Sequence, residues 1–204
     1  AYQRLLRDAL LPRLAMRIEE LLRSGGQANS ELLYESLKAY IMLNDPEHLD
    51  PVSLKAFITA EWESSLPREV TVEQRRELEV HLNHLLDSGE FSSPIRADAQ
   101  LIAAVRNQVA QTPLAQRIYN RLKLQGVGAD IPEFNIGKVV GPSAPLVFAR
   151  ASGQPLSKGV PGLFSYDGYY KAFVNALEEV TRQLASEESW VLGVQESNRA
   201  GLLN

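Results

Sequence analysis

Apolar residues recur at helical spacing through the first 124 positions of the chain. Leu6, Leu10, Leu14, Ile18, Leu21 and Leu22 form one stripe. Pro12 falls inside it. A proline ring clashes with the carbonyl four residues back, so the pattern predicts a kink or break near Leu11. Ser24, Gly25 and Gly26 end this helix, glycine being the usual stop residue. Asn29 or Ser30 caps the next, which places Leu33, Leu37, Tyr40 and Ile41 on one face. Asp50-Pro51 reads as a cap followed by proline at the first helical position, opening a helix through Leu54, Phe57, Ile58 and Trp62 that stops before Pro67. Thr71 and Gln74 form a capping box ahead of Leu78, Leu82, Leu85 and Leu86, and Ser88-Gly89 closes that helix. Leu101, Ile102, Val105 and Val109 mark a fifth helix, and Thr112-Pro113 opens a sixth with Leu114, Ile118 and Leu122. Each predicted helix has one apolar face and most connections are short, which implies sequential packing into an antiparallel bundle.

The pattern changes at Gln125. Of the chain's 24 glycines and prolines, 12 fall between Gln125 and Gly162, so long regular helix is not expected there. Leu146 to Ala149 is a candidate strand followed by a turn at Ser152-Gly153, and a second strand is placed near Leu163-Phe164. Helical spacing returns at Tyr169, Tyr170, Phe173, Val174, Leu177, Val180 and Leu184, with Ser165 or Asp167 as the cap. The expected fold is mainly α: an antiparallel helical bundle over residues 1–124, then a Gly/Pro-rich linker and small α/β subdomain over 125–204, ending in a long helix. Phe164, Tyr166, Tyr169, Tyr170 and Phe173 supply five of the chain's 15 aromatics within ten residues. They are expected to form a packing hub that holds the subdomain together.

Composition narrows the function classes. A net charge of −4 and a pI near 5.5 argue against a general nucleic-acid or anionic-membrane surface, because both need clustered Lys and Arg. The chain has no cysteine, which removes disulfides, thiolate metal sites and a Cys nucleophile. It opens at Ala1 inside an amphipathic helix and stops at Asn204 without a stop signal, so it reads as a piece of a longer protein.

Candidate chemistry is sparse. Glu77, His81 and His84 fall on one helix face, and imidazole with carboxylate suits zinc. The neighbouring leucines already define the buried side, which puts the triplet at the boundary or in solvent, and no metal is expected. Gly137-Lys138 fails as a phosphate loop, since Pro132 stands where the first glycine belongs and Val139 where Ser or Thr must follow the lysine. Ser143, Ser157 and Ser165 lie outside any G-x-S-x-G elbow, and three histidines leave few candidate bases. The acid pairs Glu61/Glu63 and Glu187/Glu188 read as solvated helix faces rather than glycosidase carboxylates. The aromatic cluster suits stacking on sugar rings, but its position on the helical stripe favours core packing. The residues therefore imply no catalytic site, no cofactor, no nucleic acid and no small-molecule substrate.

Five segments together resemble one family: LLPRL (Leu10 to Leu14), ELLYESLKAYIMLNDPEHLD (Glu31 to Asp50), AEWESSLP (Ala60 to Pro67), TPLAQRIYNRLK (Thr112 to Lys123) and GQPLSKGVPGLFSYDGYYKAF (Gly153 to Phe173). Their order and spacing resemble the periplasmic region of the IcmF/TssM family, the large inner-membrane core protein of bacterial type VI secretion, over nearly the whole chain. The resemblance implies a non-catalytic structural segment of the type VI membrane complex, in the periplasmic portion of an inner-membrane-anchored protein. It implies other copies of the parent as partners in a ring-like channel, and TssL as an inner-membrane partner. The outer-membrane lipoprotein TssJ is implied as a third, through a segment beyond Asn204. The reading of a different class is a periplasmic carbohydrate (peptidoglycan)-binding module or cell-wall hydrolase, which an exposed aromatic groove with converging carboxylates would favour.

Overall fold

A computed structural model describes residues 2–25, 30–87 and 96–193. The chain divides into two compact units, one of Ala1–Pro113 with Glu188–Asn204 and the other of Leu114–Glu187. The compositional boundary at Gln125 thus differs from the structural one: the helix after Pro113 belongs with the second unit, and the end of the last helix belongs with the first.

In the first unit, α1 (Tyr2–Leu5) runs through a π turn (Leu6–Leu10) into α2 (Leu11–Arg23). The π turn is how the chain accommodates Pro12. The Leu11 N–H reaches back five residues to the Leu6 carbonyl, so the helix widens just before the residue that cannot donate. The helix α3 (Ser30–Asn44) packs against α2, α4 (Pro51–Ser65) and α6 (Ala99–Ala110), and α4 packs against α5 (Val72–Leu86). Eleven of the fifteen residues of α3 are buried, including Glu31 and Lys38. The sequence places Leu33, Leu37, Tyr40 and Ile41 on one face; the structure surrounds the helix, burying Tyr34, Ala39, Met42 and Leu43 as well. A helix that is apolar on most of its circumference belongs in a core rather than at its edge.

Local chemistry sets the ends of these helices. Asp50 Oδ1 accepts from the N–H groups of Val52 and Ser53 at 3.0 and 3.3 Å, ahead of Pro51. Thr71 Oγ1 accepts from the Gln74 N–H at 3.2 Å while Gln74 Oε1 accepts from the Thr71 N–H at 2.9 Å. The predicted capping box is present. The predicted cap at Asn29 and the predicted stop at Ser88-Gly89 lie outside the described residues, as does Gly26. One polar network, centred on the buried Tyr40 and reaching the surface at Arg23, ties three helices of this unit. The Tyr40 hydroxyl, on a fully buried ring, donates to Glu19 at 2.6 Å and accepts from the Asp98 N–H at 3.0 Å. Arg23 bonds the Asp98 carboxylate at 3.0 Å, and Asp98 itself caps α6.

In the second unit, α7 (Leu114–Leu124) and α10 (Val174–Val191) are the regular helices, and α8 (Ile136–Val140) and α9 (Ala144–Val147) are short. α10 begins in this unit, and its residues from Glu188 onward belong to the first. The expected α/β subdomain is not what forms. Among the described residues there is no β-strand, only one antiparallel bridge between Phe134 and Val160. The first half of the first candidate strand, Leu146-Val147, lies in α9, where Pro145 sits in the first turn, and Phe148 and Ala149 follow the helix. The second, Leu163-Phe164, is part of a 3-10 turn over Gly162–Phe164. Proline has no N–H for a ladder but fits a first helical turn, so the prolines and glycines here make turns and short helices. The final long helix is present as expected, and Ser165 caps it, its hydroxyl accepting from the Gly168 N–H at 3.1 Å.

Candidate functional site

The aromatic segment enters through two glycines. A Cβ on Gly162 would lie 2.1 Å from the Ile131 carbonyl oxygen, and one on Gly168 would lie 1.9 Å from that of Gly162. Backbone therefore packs directly on backbone, and only glycine permits it. The chain then turns helical at Tyr166 and passes through a second π turn at Gly168–Phe173, where the Val174 N–H bonds the Tyr169 carbonyl five residues back.

That extra residue corrects the expectation of a buried hub. At ordinary spacing Tyr169, Tyr170 and Phe173 share a stripe with Val180 and Leu184. The π turn rotates the start of the helix away from the stripe. Val180 and Leu184 are buried, whereas Phe164, Tyr166, Tyr169 and Tyr170 are exposed by 60, 77, 49 and 58% and Phe173 is half-buried. The rings do gather, but on the surface. Tyr166 and Tyr170 centroids lie 4.7 Å apart, Tyr169 and Tyr170 5.0 Å, and Tyr169 stacks on Phe173 at 5.6 Å. Phe164 is the exception, meeting Tyr119 of α7 at 6.3 Å.

Exposed apolar side chains are also found elsewhere in this unit. Val139, Val140, Leu146, Val147 and Phe148, on and beside α8 and α9, are all exposed, Leu146 by 87%. This lobe is built by Asn135, whose Oδ1 caps α8 through the Gly137 N–H at 2.9 Å and whose Nδ2 donates to the Ser157 carbonyl at 2.8 Å. The interior of the unit carries charge: Arg117 and Arg121 are buried on α7, and Arg121 faces Glu187 of α10 at 3.9 Å.

The other sequence candidates do not converge on chemistry. His81 Nδ1 bonds the Tyr2 hydroxyl, and the Tyr2 ring meets His81 and His84 edge-on at 5.8 and 5.6 Å. Among the described residues no group of three His, Cys, Asp or Glu is placed to hold a metal ion. Gly137 and Lys138 lie inside α8. The Ser165 hydroxyl is engaged with the Gly162 carbonyl at 2.6 Å. Glu61 pairs with Arg17 at 2.8 Å beside a groove of about 410 Å³ floored by Leu21, Leu32 and Phe57.

One arrangement has no sequence forerunner. The last turn of α10 is held within the first unit by Arg106, which donates from Nε to the Val191 carbonyl at 2.9 Å and from Nη2 to that of Trp190 at 2.8 Å. Burial lowers the Arg106 pKa from its ordinary value. The Trp190 ring stacks on His48 at 4.7 Å, and His48 Nδ1 lies 2.8 Å from Asp45 Oδ2, a bond that holds the Asp45 carboxyl below its usual range. Gly193, at φ +66, turns the chain beside the guanidinium. Arg106 and Trp190 are 84 residues apart. Only the helix-stopping glycine signals this end in the sequence.

Among the described residues no helix is long and apolar enough to cross a membrane. The chain matches the family "IcmF-related: Intracellular multiplication and human macrophage-killing" over residues 1–202. It is 46% identical over 200 residues to a protein of Pseudomonas aeruginosa (strain PAO1) described as "Type VI secretion system component TssM1", which covers 98% of this chain and 18% of that relative. No solved structure matches.

Proposed function

The chain belongs to the IcmF-related family, and from that premise we propose that it is a non-catalytic structural segment of a type VI secretion component, acting through protein contact. The observation that carries this is the outward apolar surface of the second unit, where twelve of the eighteen large exposed hydrophobic residues lie among the described residues. Large apolar side chains exposed in this number favour interaction over solvent exposure for its own sake. In this reading the segment stands in the periplasm as part of an inner-membrane-anchored protein and meets other copies of it. It fixes the position of a segment beyond Asn204 that binds the outer-membrane lipoprotein TssJ, while TssL is met at the inner membrane. Pull-down of purified lipoprotein tests the division of labour: a chain extended past Asn204 captures it and the 204-residue chain does not. Capture by the shorter chain would overturn it. Compartment is tested by Ser152→Cys in a full-length parent from which any other cysteine has been removed; periplasmic placement requires labelling of intact cells by a reagent that crosses only the outer membrane.

One observation favours a second reading. The exposed cluster of Tyr166, Tyr170 and Tyr169, tilted and edge-on to one another, presents aromatic surface on which a carbohydrate ring could stack. Its nearby carboxylate, Asp167, pairs with Lys171 at 3.0 Å. Retention on purified cell-wall sacculi that Tyr169→Ala abolishes would favour the carbohydrate-binding module over the scaffold.

A further inference from the structure

Residues 134–166 contain no acid and three cations, Lys138, Arg150 and Lys158, in a chain whose net charge is −4. The same span forms the α8–α9 lobe, closed by the Phe134–Val160 bridge and the Asn135–Ser157 bond. Arg150 and Lys158 are brought together, the guanidinium of the first donating to the carbonyl of the second. Of the acids that bound the span, Glu133 packs over Gly159 and Asp167 pairs with Lys171 at 3.0 Å.

We propose that this lobe docks on an anionic lipid surface, seating Leu146 and Val147 among the acyl chains with Lys138, Arg150 and Lys158 at the phosphates. Three features favour lipid over a folded partner. The most exposed aliphatic side chains, Leu146 at 87% and Val147 at 73%, stand on a four-residue helix, a projecting tip rather than the long stripe a partner helix needs. Lys138 and Lys158 are exposed and, with Arg150, lie on either side of that tip in the sequence within a span that holds no acid, a charge pattern that anionic headgroups complement. Tyr166, Tyr169 and Tyr170, exposed beyond the lobe, have the apolar body and polar tip suited to the headgroup zone. The whole chain is acidic, but the charge local to the lobe is what a headgroup surface meets.

The test is vesicle binding by the 204-residue chain, read independently of any secretion assay. Vesicles of equal phosphatidylglycerol and phosphatidylcholine should bind the chain at least about tenfold more tightly than pure phosphatidylcholine. Each cation changed to Gln should cost about fivefold in affinity, and the triple change on the order of 100-fold. Binding should collapse at 1 M salt, where screening reaches about 3 Å. Leu146→Trp should blue-shift its emission on anionic vesicles relative to the parent chain, and Leu146→Glu with Val147→Glu should abolish binding without lowering the melting temperature. Equal binding to both lipids would overturn the proposal, as would an unshifted Leu146→Trp. So would a loss of fold in the Glu variant, which would make these residues core. Self-association that the Glu variant dissolves, without vesicle binding, would assign the face to protein instead.

Discussion

The two units spend their apolar residues in opposite ways. In the first, 23 hydrophobic residues are buried and six large ones are exposed; in the second, four are buried and twelve exposed, among the described residues. The first unit packs α2, α4 and α6 around α3, with α5 laid against α4. The second holds its backbone together with glycine crossings and caps, and turns its side chains outward. The buried core of the chain therefore lies mainly in the first unit, and its exposed apolar side chains mainly in the second, among the described residues.

The largest expected effect lies at the centre of the first unit. Leu37, fully buried on α3, should cost about 4 kcal/mol on Leu37→Ala, from lost burial and a residual cavity. Chemical denaturation checks it, and a loss below about 1 kcal/mol would remove α3 from the core.

Next is the crossing in the second unit. Gly168→Ala sets a methyl against the Gly162 backbone, which cannot move aside as a side chain would, and should cost about 3 kcal/mol. Amide exchange should localise the loss to residues around Gly162 and Gly168. Unchanged protection there would mean that the aromatics, not the backbone crossing, hold the segment.

A smaller effect comes from Tyr40→Phe, which strips Glu19 of a donor and the Asp98 N–H of an acceptor and should cost about 2 kcal/mol. Burial, with the bond to Glu19, pushes the Tyr40 pKa from 10.0 up to about 12. A raised pKa on a group that is neutral when protonated stabilises the fold below the unfolded value. That contribution is complete below about pH 10 and is lost as pH rises toward 12. Stability measured across that window should fall less steeply in Tyr40→Phe than in the parent.

What was legible in the sequence is what a few neighbouring residues decide. Asp50, Thr71 with Gln74, and Ser165 cap their helices as expected because each bonds a backbone group within three residues of itself. Pro12 signalled a local disturbance near Leu11, which the π turn supplies. The outward aromatics were not legible. A π turn changes the phase of a stripe without changing its composition, so Tyr169 and Phe173 kept the spacing of core residues while leaving the core. The strand expectation failed because short apolar runs do not distinguish strand from helix, and Pro145 selected helix. The hold of Arg106 on the end of α10 depends on folding, which no local pattern encodes. The span from 134 to 166 shows in the sequence as a gap in negative charge, and it gains meaning only with Leu146 and Val147 placed outside.

The smallest expected effect bears most directly on the contrast between the units. Thermal unfolding of the chain carrying Leu146→Ser and Val147→Ser should match the parent to within about 0.5 kcal/mol, as exposed positions do. A loss of several kcal/mol would show that these side chains complete a core, and would contradict the account of the second unit as a surface turned toward a partner.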